Sequence, residues 1–441
     1  MVIPAKAGIQ QRSAAMINDE TNILLTRTGP GTQMGELFRR YWIPALLDWE
    51  LPVRDCAPVR VKLLGEKLVA FRDTEGRLGL IDEFCAHRGV SLWFGRNEEC
   101  GLRCPYHGWK YDVNGNCMDL PSEPEESGMR QRIRLKSYPC VEAGGVIWAY
   151  MGPPADRPPV PAFEWVNLPP SHRVITKRWQ ESNYLQAVEG GIDSSHVSFL
   201  HRGDMATDPF HKNTGGARMV KSVKTTFDVL DCSGGMIIGA RRDAEPGKHY
   251  WRITQFIMPW YTLIPPYANN ALNGHAWVPM DDENCMAWSM TFHPAAPISE
   301  KDVDLLKNGN GVHATLIPGT FRPVANRTND YMIDREKQKS GRHYNGVRGL
   351  AMQDASVQES IGVIADRSVE NLVSTDNAII LARQRLLKAA QAVQEGGRAP
   401  GLDPNDQLIR SASFVLPVDA NFKQHALDAV KYRKGEPHIA V

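Results

Sequence analysis

The stretch from Asp82 to Trp109, DEFCAHRGVSLWFGRNEECGLRCPYHGW, constrains this chain more than any other. Cys85 and His87 flank a single residue. Residues 88–103 then separate them from Cys104, which is followed by two residues and His107. Two thiolates and two imidazoles on two short loops can hold a pair of irons. Thiolates suit the iron that stays ferric, and neutral imidazoles suit the iron that takes the electron. Replacing two Cys by two His raises the potential of a [2Fe–2S] centre.

Zinc also takes a Cys2His2 set, but its usual spacing puts two Cys together and then two His on a helix. Here each loop carries one Cys and one His. The Pro, Gly and aromatics of CPYHGW suit a rigid cluster cover better than a helix. Cys85, His87, Cys104 and His107 are therefore read as a Rieske [2Fe–2S] site. The other thiols, Cys56, Cys100, Cys117, Cys140, Cys232 and Cys285, are scattered without a disulfide framework, as in a reducing cytoplasm.

A chain of 441 residues exceeds one small core, so two domains are expected. A net charge of +1 gives no support for binding to nucleic acid or a membrane surface. No apolar run approaches the ~18 residues of a membrane span. Residues 1–23 are expected to be a disordered extension. They lack an apolar core of signal-peptide length, and Met16 is a candidate start.

Short β-runs at Val59–Leu64, Leu68–Arg72 and Leu78–Ile81 are followed by Trp109–Val113, the turn Asn114-Gly115 and the apolar Gly145–Met151. They predict an antiparallel β-domain over 24–155 with the cluster ligands on hairpin tips. Met34–Trp42 reads as a short helix. The proline-rich Gly152–Pro170 reads as an extended linker. Over 156–441 strands are predicted at Val174–Gln180, Met219–Leu230, Met236–Arg242, Tyr250–Met258, Ala276–Pro279 and Met286–His293. Helical periods cover Ser182–Leu200, Ser299–Asn308, Ala351–Ile364 and Thr375–Glu395. The fold class is α+β.

After the linker, ESNYLQAVEGGIDSSHVSFLH carries Glu189, Asp193, His196 and His201. Two His from one helix end and a carboxylate from elsewhere make the facial triad of mononuclear non-haem iron, which leaves positions open for dioxygen and substrate. The pattern D-x-x-H-x-x-x-x-H alone is more often a polar helix face than a metal site. The upstream cluster motif tips the reading toward metal.

On the cluster pair, the linker, EGGIDSSH and the late AMQDASVQESIGVIADRSVENLVSTD, the chain resembles the oxygenase (alpha) component of Rieske non-haem iron ring-hydroxylating oxygenases. It is most similar to the branch typified by phthalate 4,5-dioxygenase, from about Leu24 to about Val393. The resemblance implies an N-terminal Rieske domain, a catalytic domain with a helix-grip-like antiparallel sheet, and a head-to-tail homotrimer or dimer of trimers. It implies that His196 and His201 ligate Fe(II). It also implies that Asp193 bridges a cluster His of the neighbouring subunit to one of them, fixing both tautomers. Asn183 and Glu189 match polar positions beside the iron. The third ligand is expected in D-x-x-x-x-E, here Asp354 with Glu359. Asp376 in STDNAI is the competitor, although an acid there also stabilises a helix start.

The implied activity is hydroxylation of an aromatic carboxylate by dioxygen, on the ring or on an O-methyl group that is then lost. Electrons come from NADH through a separate ferredoxin-type reductase. This chain carries neither a G-x-G-x-x-G next to a strand nor a plant-type ferredoxin Cys run. Arg202, Arg241, Arg242 and Arg252 are candidate anchors for the carboxylate. Phe256, Trp260 and Trp251 are candidate walls of an apolar slot. All seven also fit ordinary structural roles. Three alternatives stand beside this reading: an oxygenase for a non-aromatic or N-methyl substrate, a Rieske electron-transfer protein with one metal centre, and a sensor with degraded chemistry.

Overall fold

The computed structural model describes residues 17–211, 219 and 222–441. It divides into two compact units. One is Thr28–Val160, and the other is Pro161–Val441 with the segment ending at Arg27. The expected extension lies partly outside the described residues, but its last part is ordered. Asp19–Thr26 is a helix capped by Asn18, with Leu25 and Thr26 buried. Tyr184 Oη donates to Leu25 O and Asn183 Nδ2 to Thr26 O, so this helix belongs to the larger unit. A domain start at residue 24 is thereby corrected.

The smaller unit is built from three antiparallel sheets. Trp42–Leu47 pairs with Val146–Tyr150, which pairs with Cys140–Ala143. Val59–Leu63, Glu66–Arg72 and Leu78–Asp82 form the expected meander. Arg96–Glu98, Gly101–Arg103, Lys110–Tyr111 and Cys117–Asp119 form the third sheet. The helix expected at Met34–Trp42 spans only Gln33–Phe38, and Trp42 opens a strand instead. Phe71, Leu92, Leu102 and Tyr111 are fully buried in one cluster with Cys85 and Cys104. Each such side chain stabilises the unit by about 1.5–3 kcal/mol.

The two cluster loops share one backbone pattern. In each, the Cys amide donates forward: Cys85 N to Val90 O at 2.9 Å and Cys104 N to Trp109 O at 2.8 Å. In each, a glycine donates back to the Cys carbonyl: Gly89 N at 2.9 Å and Gly108 N at 3.1 Å. Gly89 and Gly108 have φ of +71° and +75°, where a Cβ is disfavoured. The repeated Cys-to-Gly spacing is therefore what closes both loops.

The larger unit holds an eight-stranded antiparallel sheet. Its order is Arg173–Gln180, Cys285–Phe292, Leu272–Pro279, Tyr261–Ile264, Lys248–Ile257, Gly235–Asp243, Thr226–Cys232, with Ala412–Pro417 paired to Lys248–Ile257. Tyr261–Ile264 and Ala412–Pro417 extend the expected set. The strand expected from Met219 starts at Thr226, and residues 220 and 221 lie outside the described ones. The second half of the proline-rich segment is packed rather than free. Glu164 is buried and accepts from Arg410 Nε and Nη2 at 2.7 and 2.6 Å, between buried Phe163 and Trp165.

The helical period at Ser182–Leu200 breaks early. The helix is Tyr184–Ile192, and Asn183 Oδ1 accepts from Leu185 N as its cap. A Cβ on Gly190 would fall 2.3 Å from Gln358 Nε2, and one on Gly191 would fall 2.2 Å from Trp277. The glycine pair thus lets the helix end seat directly on those two side chains. Asp193 then turns the chain by accepting from Ser195 N at 2.7 Å and His196 N at 3.3 Å.

Candidate metal centre

That turn aims His196 inward. His201 follows at the start of the short helix Arg202–Thr207, and Asp354 comes from the helix Leu350–Ser360. The donor atoms converge. His196 Nε2 and His201 Nε2 are 3.2 Å apart, and Asp354 Oδ1 lies 3.1 Å from the second and 3.5 Å from the first. One ligand atom of each residue falls within 4.8 Å of the other two. Two imidazole nitrogens and a carboxylate oxygen aimed at one point are a donor set that fits Fe(II).

The electrostatics favour a cation there. Burial pushes the His196 imidazole down, but the carboxylates of Asp193 and Asp354 outweigh it and lift its pKa to about 10. Burial would raise the Asp354 carboxyl, yet His201 and His196 hold it well below the usual range. Asp193 is likewise held low against burial, by His196 and Ser195. Its Oδ2 stands 3.4 Å from His196 Nδ1.

A cavity of about 100 Å³ opens onto these residues. The two-residue period of the sheet lines it: Arg252 and Thr254 from one strand, Asn273, His275 and Trp277 from another. Arg252 is buried, its guanidinium carbon 4.7 Å from the Tyr267 ring centre, and its Nε and Nη1 have no hydrogen-bond partner among the described residues. Burial and then Arg178 push His275 down to about 4, so this imidazole is neutral. The alternation in NGHAW was the available signal for Asn273, His275 and Trp277, which the sequence reading missed because it began the strand at Ala276.

Other expectations are corrected. Asp376 sits at the start of the helix Asn377–Gln394, and its Oδ2 accepts from Val373 N at 2.7 Å, outside the donor set. Glu359 accepts from Tyr331 Oη at 2.5 Å and from Glu181 N at 3.2 Å. Asn183 is a helix cap that donates to Thr26 O and Asp282 O. Glu189 is clamped by Arg367 and Arg383. Arg242 donates to Ser194 O and Ser198 Oγ and braces the turn carrying His196. Arg241 lies over Trp251, and Arg202 is exposed. Trp251 stacks on Phe422 at 3.9 Å, while Phe256 and Trp260 are core; none of the three lines this cavity.

In the smaller unit Cys85 and Cys104 are 3 % exposed, close enough that the Cys85 thiol adds to the burial that raises the Cys104 pKa. The rings of His87 and His107 lie 4.5 Å apart, and His87 stacks on Trp109. Tyr111 Oη is 3.3 Å from Cys85 Sγ. Two sulfurs on the inner side and two imidazoles on the outer side are a donor set that fits a [2Fe–2S] cluster.

The fold and these two donor sets define a Rieske-type oxygenase. Residues 41–139 match the Rieske [2Fe-2S] domain, and residues 149–423 match the LigXa C-terminal domain like family. The chain belongs to the Rieske non-haem iron ring-hydroxylating oxygenases, among the phthalate 4,5-dioxygenase-like oxygenase components. It is 39 % identical over 417 residues to the 3-chlorobenzoate-3,4-dioxygenase oxygenase subunit of Comamonas testosteroni, covering 90 % of this chain and 95 % of that one. It is 37 % identical over 427 residues to the phthalate 4,5-dioxygenase oxygenase subunit of Pseudomonas putida, covering 93 % and 95 %. Dicamba monooxygenase bound to dicamba shares the fold, with a TM-score of 0.56 at 20 % identity over 81 % of this chain and 98 % of that one. As an oxygenase component the protein uses dioxygen, a [2Fe–2S] cluster and non-haem iron, and depends on a separate electron-transfer protein. No helix among the described residues is long and apolar enough to cross a membrane.

Proposed function

We propose that the protein hydroxylates an aromatic carboxylate, on the ring or on the methyl of a methoxy substituent, whose carbon then leaves as formaldehyde while the ring keeps the oxygen as a phenol. The observation that carries this reading is the buried guanidinium of Arg252, with two unpartnered nitrogens, in the cavity shared by His196, His201 and Asp354. The same chemistry is named for similar proteins, which are a phthalate and a 3-chlorobenzoate dioxygenase subunit and, at 30 % identity, a 5,5'-dehydrodivanillate O-demethylase subunit.

In this reading Cys85 and Cys104 hold one cluster iron, His87 and His107 the other, and His196, His201 and Asp354 the mononuclear Fe(II). When bound, these groups supply single electrons and dioxygen activation. The chain's own residues do the rest. Arg252 takes the carboxylate, and a guanidinium can do so through two parallel hydrogen bonds. Tyr267 supports its face. Phe210 and Trp277 give apolar walls, and neutral His275 offers a hydrogen bond without a competing charge. Asp193 accepts from the turn and orients His196 Nδ1–H, which sets the Nε2 lone pair toward the metal.

The working form is a head-to-tail trimer, alone or doubled, in which Asp193 receives a cluster His of the neighbouring subunit. A cytoplasmic NADH-fed reductase of the ferredoxin type supplies the electrons. Asp193→Asn keeps the oxygen that caps Ser195 and removes the charge. It retains both metals and slows product formation.

The test is an assay with a generic NADH reductase against phthalates, benzoates and methoxylated benzoates, following oxygen uptake and formaldehyde together. Uptake with matching formaldehyde identifies O-demethylation, and coupled uptake without it identifies ring oxygenation. No coupled uptake with any aromatic acid, in protein holding both metals, refutes the reading.

A further inference from the structure

His201 is held from behind by a side chain that ligand spacing does not reveal. Gln353, the residue before Asp354, is fully buried. Its Oε1 lies 2.8 Å from His201 Nδ1. Its Nε2 donates to Val347 O at 2.9 Å and to Asp204 Oδ2, which lies 3.0 Å from His343 Nδ1. Asp204 and His343 are 6 % and 7 % exposed, so the whole chain of contacts is dry.

The chemistry of the partners fixes the amide. A carbonyl and a carboxylate only accept, so the NH2 group must face Val347 and Asp204, and the oxygen must face His201. An amide oxygen also only accepts. His201 therefore carries a proton on Nδ1, which leaves Nε2 as the nitrogen to ligate a metal. Nε2 points at the place shared with His196 Nε2 and Asp354 Oδ1. The other imidazole is treated differently, because His196 Nδ1 faces the carboxylate of Asp193. One imidazole is backed by an anion. The other is backed by a neutral amide that keeps the anion behind it, Asp204, one side chain away.

We propose that Gln353 is a positioning residue for the mononuclear iron: it fixes the tautomer and aim of His201 and separates that imidazole from Asp204, making His201 a weaker donor than His196. The proposal rests on the reading of His196, His201 and Asp354 as the iron site. A hydrogen-bond partner behind a ligating imidazole typically changes metal affinity 10–100-fold, a range to apply here as about that size.

The experiment uses the full chain with its cluster intact and oxidised, stripped of mononuclear iron. Fe(II) is titrated back by equilibrium dialysis, and the EPR line shape of the site is read with nitric oxide as probe. Gln353→Leu weakens Fe(II) binding about 10–100-fold and alters the line shape, while cluster absorbance stays unchanged. The double variant Gln353→Glu with Asp204→Asn moves a carboxylate onto His201 and gives it the introduced amide at 204 as donor, while Val347 O loses its donor. It binds Fe(II) more tightly than the leucine form, with a line shape different from the wild type. Wild-type affinity and line shape in Gln353→Leu overturn the proposal, as does a double variant that binds no better than the leucine form. Should Gln353→Leu fail to fold, the double variant decides alone. Wild-type protein that takes up no Fe(II) refutes the iron site itself rather than the role of Gln353.

Discussion

Asp354 Oδ1 lies 3.1 Å from His201 Nε2, although the two residues sit on different elements far apart in the sequence. That contact singles out Asp354 over Asp376, whose carboxylate is occupied by the backbone of its own helix start. Asp354→Ala is expected to abolish mononuclear iron and product formation while leaving the cluster spectrum intact. Asp376→Ala is expected to keep both metals. Iron and sulfide analysis of the two variants checks this, and loss of the mononuclear iron in the second alone would reverse the assignment.

Arg252 is the second point of test. It lines the cavity, and two of its nitrogens are buried without partners among the described residues, so its charge is left for a bound carboxylate to balance. Arg252→Met is expected to raise KM for an aromatic acid by about 10- to 100-fold, the size of a lost hydrogen bond to a charged group. The corresponding amide should be affected little. An unchanged KM for the acid sinks the anchor role.

Glu189 makes a prediction about stability. Burial would raise its carboxyl, but Arg367 and Arg383 outweigh it, and the pKa is held below the ordinary value. A depressed folded-state pKa gives stability that is present above the unfolded value and is lost as pH falls through the folded one. Glu189→Gln leaves the buried Arg367 guanidinium without its anion, while Arg383 keeps Glu370, a loss of about 3–5 kcal/mol near neutrality. Thermal melts of both proteins from neutral pH down into acid should show their difference shrinking below pH ~4.3. A constant gap at every pH contradicts this.

The glycine pair supplies a packing test. An alanine at Gly191 would set its Cβ 2.2 Å from the Trp277 ring. Overpacking of this kind costs about 1–3 kcal/mol. Gly191→Ala is expected to melt earlier and to hold less mononuclear iron, because the same helix end carries the Asp193 turn. Ser360→Ala, exposed on another helix, is the neutral control.

The cluster residues and the His pair were legible because each set is local. Loop closure by Gly89 and Gly108, and the turn at Asp193, are written within a few residues of the ligands they position. What was not legible depends on distant partners. Glu189 reads as a polar neighbour of a metal until Arg367 and Arg383 arrive from the far end of the chain. Arg252 could not be separated from Arg241 and Arg242 before the register of Lys248–Ile257 was known. Trp251, on the other face of that strand, packs on Phe422 instead of the cavity. The strand Tyr261–Ile264 is too short to show a period.

The central claim, that this chain oxygenates an aromatic acid at its own iron, is tested most directly by a single turnover without reductase. Protein holding both metals is reduced, freed of reductant, mixed with a methoxylated or dicarboxylated benzoate, and exposed to dioxygen. The account predicts oxidation of the cluster together with hydroxylated or demethylated product in proportion to protein, and no product from Asp354→Ala. Cluster oxidation without product, across the full set of aromatic acids, would contradict it.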